Sequence, residues 1–100
     1  MSDFLLTITT PAGQVFQGPA TSLVAPGREG QFGILPYHAP FISALRRGVL
    51  KVETAARTRF FVVEEGVLEV SADNKVTLLG AGAEEAADQA EALAKLVRKK

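Results

Sequence analysis

The chain contains no cysteine, which excludes a disulfide framework, a thiolate nucleophile and any cysteine-based metal centre. It contains one histidine, His38, so a zinc or iron site built on several imidazoles is excluded as well. Charge of either sign is not in excess: 11 basic and 11 acidic side chains leave a formal net charge of zero. Nucleic-acid binding leans on a concentrated positive field, which this balance does not supply. No apolar run approaches the roughly 20 residues that a bilayer-spanning helix needs. The opening MSDFLLTITTPAG lacks the basic start and sustained apolar core of a secretion signal. Internal repeats and low-complexity linkers are also missing. What remains is a chain of 100 residues, 47% hydrophobic, a length that fits one domain and an apolar share too high for disorder.

To about residue 80 the signals are short and strand-like. FLLTITT at 4–10 places Phe4, Leu6 and Ile8 on one face and Leu5, Thr7 and Thr9 on the other, the alternation of a half-covered strand. Further strands are expected at 14–17, 20–26, 49–54, 57–65, 67–73 and 75–80, separated by Pro11-Ala12-Gly13, Pro26-Gly27, Gly66 and the turn pair Asp73-Asn74. Short strands with such frequent turn signals predict a mainly β fold, an antiparallel sandwich or barrel. The period then changes. Residues 83–100 hold no glycine or proline and are rich in alanine, which predicts a helix with Ala86, Ala90, Leu93 and Val97 on one face. Glu84, Glu85 and Asp88 lead and Arg98, Lys99 and Lys100 finish, complementing the helix dipole at both ends. Glu91 and Lys95 stand four apart in the favourable order. The expected division is a β-sandwich over 1–81 and a C-terminal helix over 82–100. A lone helix of this length is marginal in water, so it should dock on the sandwich or on a partner.

The run GREGQFGILPYHAPFISALRRG, 27–48, concentrates glycine, proline, three aromatics and the histidine. Gly27, Gly30 and Gly33 superficially resemble a phosphate-cradling loop, but the spacing is wrong for a dinucleotide fingerprint and Pro36 and Pro40 stand where a helix should open. His38 is the sole candidate for acid–base chemistry near neutral pH. Ser43 and Tyr37 are near it in sequence without forming a recognisable Ser/His/Asp arrangement. A small ligand- or metal-binding enzyme centred on His38, with Glu29 and Glu64 or Glu65 as companions, is the competing reading. Glu64 and Glu65 are adjacent on a strand and point to opposite faces, so they do not make a simple acid–base pair. Arg46, Arg47, Arg57 and Arg59 read as solvated strand-edge charges that discourage edge-to-edge association. Phe32, Ile34, Leu35, Phe41, Ile42 and Leu45 are more apolar surface than an exposed loop needs. Some must enter the core, and the rest is available to a partner.

With those residues in view, the chain resembles the epsilon subunit of F-type ATP synthases. The resemblance rests on Glu29, Gly30, Phe32, Gly33, Ile34, Leu35, Pro36, His38, Ala39 and Pro40, on the opening LLTITTPAGQVFQGPATSLVAPG, and on FFVVEEGVLEVSADNKVTLL. It covers about residues 4–80. It implies a flattened sandwich of about ten strands followed by C-terminal helix, and a non-catalytic rotor subunit without a cofactor. The implied partners are the gamma subunit and the c ring, with membrane association only through the complex, at the cytoplasmic face of a bacterial inner membrane. Carried over by position, Arg28, Glu29, Gly30, Gln31 and Phe32 would meet the c ring, and Thr10, His38, Ala39, Pro40, Phe41 and Ser43 would meet gamma.

Two departures modify these expectations. Family members usually end in a two-helix hairpin, whereas this sequence offers one short helix, so inhibition of ATP hydrolysis by that region is expected to be reduced or absent. Some members bind ATP through an Asp-x-x-Arg-Ala motif. Here the stretch is Asp88-Gln89-Ala90-Glu91-Ala92, and an acid in place of the arginine would repel phosphate, so ATP binding is not expected.

Overall fold

A computed structural model describes residues 2–98. The strands are β1 (Phe4–Thr10), β2 (Gly13–Ala20), β3 (Ser22–Gly27), β4 (Gly30–Ile34), β5 (Phe41–Leu45), β6 (Gly48–Glu53), β7 (Thr58–Val63), β8 (Gly66–Val70), β9 (Lys75–Gly80) and β10 (Ala83–Ala86), followed by helix α1 (Gln89–Val97). They form one continuous sheet folded into two layers, β4-β3-β6-β7-β10 and β5-β8-β9-β1-β2, joined where β3 meets β5. Pairing is antiparallel except between β1 and β9, which run parallel. The mainly β sandwich with one short helix is therefore as expected.

Alternation decides which side chains lie between the layers. Phe4, Leu6 and Ile8 of β1, Leu50 and Val52 of β6, Phe61 and Val63 of β7, Leu68 of β8 and Leu78 of β9 fill the interior, none more than 1% exposed. At the β2/β10 end the layers are bolted together. The Phe16 ring meets Phe61 edge-on with centroids 5.7 Å apart, and the Arg59 guanidinium lies 4.6 Å from the Phe16 centroid. Arg59 also donates two hydrogen bonds of 2.8 Å to the Glu85 carboxylate. Such a fork is pre-organised for a carboxylate.

Three strands escape the sequence signals. β4 carries Gly30 and Gly33, which have low strand propensity, yet it pairs with β3 from Gly27↔Gly30 to Leu23↔Ile34. β5 shows no alternation in sequence and is ordered by its ladder with β8. β10 corrects the helix expected from residue 83. Ala83–Ala86 pair with Val63–Phe60 of β7, and ladder hydrogen bonds override the helical preference of alanine and glutamate. Glu84 and Glu85 therefore belong to a strand, not to a helical first turn.

The helix begins after Asp88, whose extended backbone (φ −157°) and side chain cap it by accepting the Glu91 N–H at 2.8 Å. Glu91 in turn reaches back past the cap and accepts the N–H of the preceding Ala87 at 2.5 Å, so it does not pair with Lys95 as its spacing suggested. Lys95 instead reaches Glu84 at 2.7 Å. The buried face also differs from the expected one. Ala92 and Leu96 pack on Val49, Phe60, Val62 and Ala86, while Leu93 and Val97 are 50% and 81% exposed. With Ala86 consumed by β10, the helix is rotated by whatever its cap and its tethers to the sheet allow. Lys99 and Lys100, expected to finish the helix, lie outside the described residues.

Arg47 supplies the main tether. Its Nε donates to Glu64 at 3.1 Å, Nη2 to the Lys95 carbonyl at 3.2 Å and Nη1 to the Leu96 carbonyl, so a residue of the β5–β6 turn satisfies the orphan carbonyls at the helix end. The expectation of solvated edge arginines thus fails for Arg47 and Arg59. Both are drawn in, Arg59 by Glu85 on β10 and Arg47 by helix carbonyls and by Glu64, which with Glu65 lies in the β7–β8 turn and not on a strand as expected.

Replacing Arg47 by Ala should cost roughly 1–2 kcal/mol, the scale of a charge-assisted hydrogen bond, and should release the helix more than the sheet. Tryptic cleavage after Lys95 is then expected several-fold faster than in the wild type, and an unchanged rate would contradict the tether. The second expectation concerns acid. Hydrogen bonds from Arg59 hold the Glu85 carboxyl below its ordinary range, and Lys95 does the same for Glu84. A carboxyl depressed in the folded state contributes stability that is present above its unfolded value, about 4.3, and is lost as pH falls through the lower folded value. Urea unfolding of Glu85→Gln should therefore depend less steeply on pH below about 4.5 than unfolding of the wild type. Parallel curves would show that the Arg59 pair contributes nothing.

Candidate docking surface

The 27–48 run lies where the two layers meet at the β4/β5 end. β3 turns into β4 through Arg28 and Glu29, with Gly27 opposite Gly30. A Cβ on Gly27 would stand 2.6 Å from the Gly30 carbonyl oxygen and 2.8 Å from the Phe32 ring, so only glycine permits this close approach. Gly30 adopts φ +139°, a conformation that L side chains rarely enter. The tip residues Arg28, Glu29, Gly30 and Gln31 are exposed. The tip is tied to β5: Arg28 N–H donates to the Ala44 carbonyl and Arg46 N–H to the Pro26 carbonyl, each at 3.0 Å.

Leu35 to Pro40 then cross from one layer to the other. His38 N–H donates to the Leu35 carbonyl at 3.2 Å, closing a turn with Pro36 second and Tyr37 third. Tyr37 occupies the left-handed region, φ 65°, a position that such turns usually give to glycine. Its N–H donates to Asn74 Oδ1 at 2.7 Å, a contact from the β8–β9 turn that the sequence did not advertise beyond a turn pair.

The apolar residues divide as anticipated. Ile34 and Leu45 enter the core, and Phe32 packs half-buried against it. Leu35, Phe41 and Ile42 stay 65%, 37% and 69% exposed, and Tyr37, not counted among them from the sequence, is 74% exposed. Phe32 and Phe41 meet edge-on at 5.4 Å, and His38 meets Phe41 edge-on at 5.4 Å, which makes one aromatic cluster across the mouth of the sandwich. His38 Nδ1 lies 2.7 Å from the Ala39 carbonyl; a carbonyl only accepts, so this nitrogen carries the proton. Ala39 and Pro40 are exposed beside it. Ser43 follows on β5, its hydroxyl donating to the Ala44 carbonyl at 3.2 Å.

Thr10 lies elsewhere. Its hydroxyl donates to the Gly13 carbonyl at 3.2 Å and accepts the Ala12 N–H at 3.1 Å, closing the β1–β2 turn. The register runs Ser43↔Leu68↔Leu78↔Ile8, which puts β1 about 14 Å from Ser43 at a ladder spacing of roughly 4.8 Å. The structure thus joins Phe32, His38, Phe41 and Ser43 in one region and leaves Thr10 three ladders away.

The arrangement offers little to catalysis. Glu64, a proposed companion of His38, is held by Arg47 instead. Among the described residues no three of His, Asp or Glu converge as a metal site. A cleft of about 520 Å³ is lined by Arg47, Glu64, Glu84, Lys95 and Arg98, and one of about 390 Å³ by Val24, Pro26, Phe60, Leu93 and Leu96 with their neighbours. His38 borders neither. The imidazole is engaged by its own loop and an aromatic edge, and the hydroxyl of Ser43 by a backbone carbonyl.

Comparison with known proteins identifies the fold and family. Residues 3–86 match the family model described as ATP synthase, Delta/Epsilon chain, beta-sandwich domain, and the match ends with the last residue of β10. The ATP synthase epsilon chain of Pelotomaculum thermopropionicum is 42% identical over 95 residues, covering 95% of this chain and 70% of that one. That of Nitratidesulfovibrio vulgaris strain Miyazaki F is 47% identical over 83 residues, covering 83% of this chain and 61% of that one. Among solved structures, a chain of the Euglena gracilis mitochondrial ATP synthase OSCP/F1/c-ring assembly superposes with a TM-score of 0.81 at 24% identity, covering 95% of this chain and 61% of that one. A chain of the Tetrahymena thermophila ATP synthase central stalk and c-ring structure gives 0.72 at 20% identity, covering 85% and 71%. At these identities the two structures establish the fold, and the sequence matches establish the family. The chain belongs to the ATP synthase epsilon-chain family, non-catalytic subunits of that complex, and its residues 3–86 form the family's β-sandwich domain.

Proposed function

We propose that this chain is a stiff coupling piece of the central stalk, clamped between the c ring and the gamma subunit and docking through the β4/β5 end of the sandwich. The observation that carries the reading is the exposed Leu35, Tyr37 and Phe41 on a loop and strand held at both ends by hydrogen bonds and core anchors. Torque passes through a part only if the part does not yield. Close-packed layers joined by continuous ladders meet that need. Apolar and aromatic side chains at the centre with polar residues around them are the make-up of a binding surface.

The polar tip, Arg28 to Gln31 with Phe32 behind it, suits the c-ring loops, and the His38–Phe41–Ser43 side with Ala39 and Pro40 suits gamma. Thr10 joins the second contact only if gamma extends to the β1–β2 turn. The subunit reaches the membrane through these partners, at the cytoplasmic face of a bacterial inner membrane. ATP is not a ligand in this reading. Asp88 and Glu91, which occupy the relevant stretch, are both committed to capping α1, and their charge opposes phosphate.

Phe41→Asp places a carboxylate in the middle of the aromatic cluster and should abolish co-purification with gamma, a loss of at least about 100-fold in affinity given the desolvation of an unpaired charge. Retention of gamma by this variant would overturn the placement of the interface. Isothermal titration with ATP is expected to give no binding heat, and a micromolar dissociation constant would overturn that part of the reading.

A further inference from the structure

We infer that Asn74 is a positioning residue for the docking surface, holding the Tyr37 backbone in the one geometry that presents its ring as an aromatic anchor for the gamma subunit. The inference rests on the coupling role proposed above and adds to it a residue outside the 27–48 run. Three separate segments converge on this amide. Asn74 Oδ1 accepts the Tyr37 N–H at 2.7 Å, and Nδ2 donates to the Asp3 carbonyl at 2.8 Å. Its own N–H donates to the Ser71 carbonyl at 3.2 Å, and its carbonyl accepts the Leu5 N–H at 3.4 Å. The β8–β9 turn, the start of β1 and the docking loop are thereby joined through one residue.

The chemistry of these contacts is selective. Tyr37 offers a donor and Asp3 an acceptor, so the group between them needs both functions, and the two contacts also fix which end of the amide is oxygen. Asn74 is itself left-handed, φ 64°, a region that asparagine tolerates well. Tyr37 is also left-handed, φ 65°, and a bulky aromatic residue does not stay there without support. The fold gains little from the ring that this conformation displays, because Tyr37 is 74% exposed. A strained residue whose side chain is turned to solvent, braced by an amide 37 positions away, is arranged for contact with something else. An exposed tyrosine on a fixed backbone is a low-entropy anchor of the kind that dominates binding energies.

The test uses the full chain in four forms: Asn74→Gly, which keeps the left-handed backbone; Asn74→Asp, which keeps the acceptor; Tyr37→Ala; and Tyr37→Ala combined with Asn74→Gly. Purified gamma subunit is the probe, and amide exchange at Tyr37 in the free chain is the second readout. Asn74→Gly should speed Tyr37 exchange and weaken gamma binding by about 5–10-fold, as expected for one lost hydrogen bond. Asn74→Asp should keep much of the Tyr37 protection. Tyr37→Ala should weaken binding by about 30-fold or more, and adding Asn74→Gly to it should change affinity by less than about 2-fold, the signature of acting through the same residue. Unchanged Tyr37 exchange in Asn74→Gly, or losses that simply multiply in the double variant, would overturn the inference. If the wild type fails to bind gamma, the coupling role falls, and the exchange readout alone then decides whether Asn74 holds the loop.

Discussion

The structure depends on the one strand pairing that joins its two layers, where β3 reaches past β6 and meets β5 at Gly27↔Leu45. One strand serves both sheets, and it can do so only because Gly27 has no side chain to collide with the returning β4 backbone and the Phe32 ring. Leu45, fully buried, anchors the other half of the pair. Backbone hydrogen bonds on either side, from Arg28 to Ala44 and from Arg46 to Pro26, extend the junction. Everything that makes the β4/β5 end a surface follows from this. It sets the separation at which Phe32 from one layer meets Phe41 from the other, and it leaves the connecting loop just long enough to cross the gap.

The opposite end of the sandwich is closed by different means. There Arg59, Glu85 and Phe16 form a seam of charge and aromatic contacts, whereas Arg47, beside the junction residue Arg46, and Lys95 hold α1 against the outer face of β6, β7 and β10. The molecule therefore has one end closed by ionic and aromatic contacts, one end that displays apolar side chains on a braced frame, and a helix on the outer face of one layer. A rigid part needs both ends. The closed end opposes sliding of the layers, as the proposed coupling role requires.

Much of this was legible in the residues. The alternation Leu6-Thr7-Ile8 and Leu50-Lys51-Val52 indicated the inward faces of β1 and β6, and the glycine–proline run marked the turns of the β4/β5 end. What stayed hidden shares one cause: contacts between residues far apart in sequence. Ala83–Ala86 reads as helix until β7 offers it a ladder, and the glycines of β4 read as loop until β3 does. Arg47 and Arg59 look like solvent-facing edge charges until their carboxylate and carbonyl partners are in place. Asn74 is the clearest case, since a turn asparagine carries no hint that a loop 37 residues earlier will lean on its side chain.

The central claim is that partners grip the β4/β5 end. A hydrogen-exchange footprint of this chain in the assembled stalk, set against the free chain, tests it most directly. The account predicts slowed exchange concentrated in the amides of residues 28–43, with little change along α1 or on the outer face that carries Leu5, Val67 and Leu79. Protection centred on α1 or on that outer face, with 28–43 exchanging as in the free chain, would contradict it.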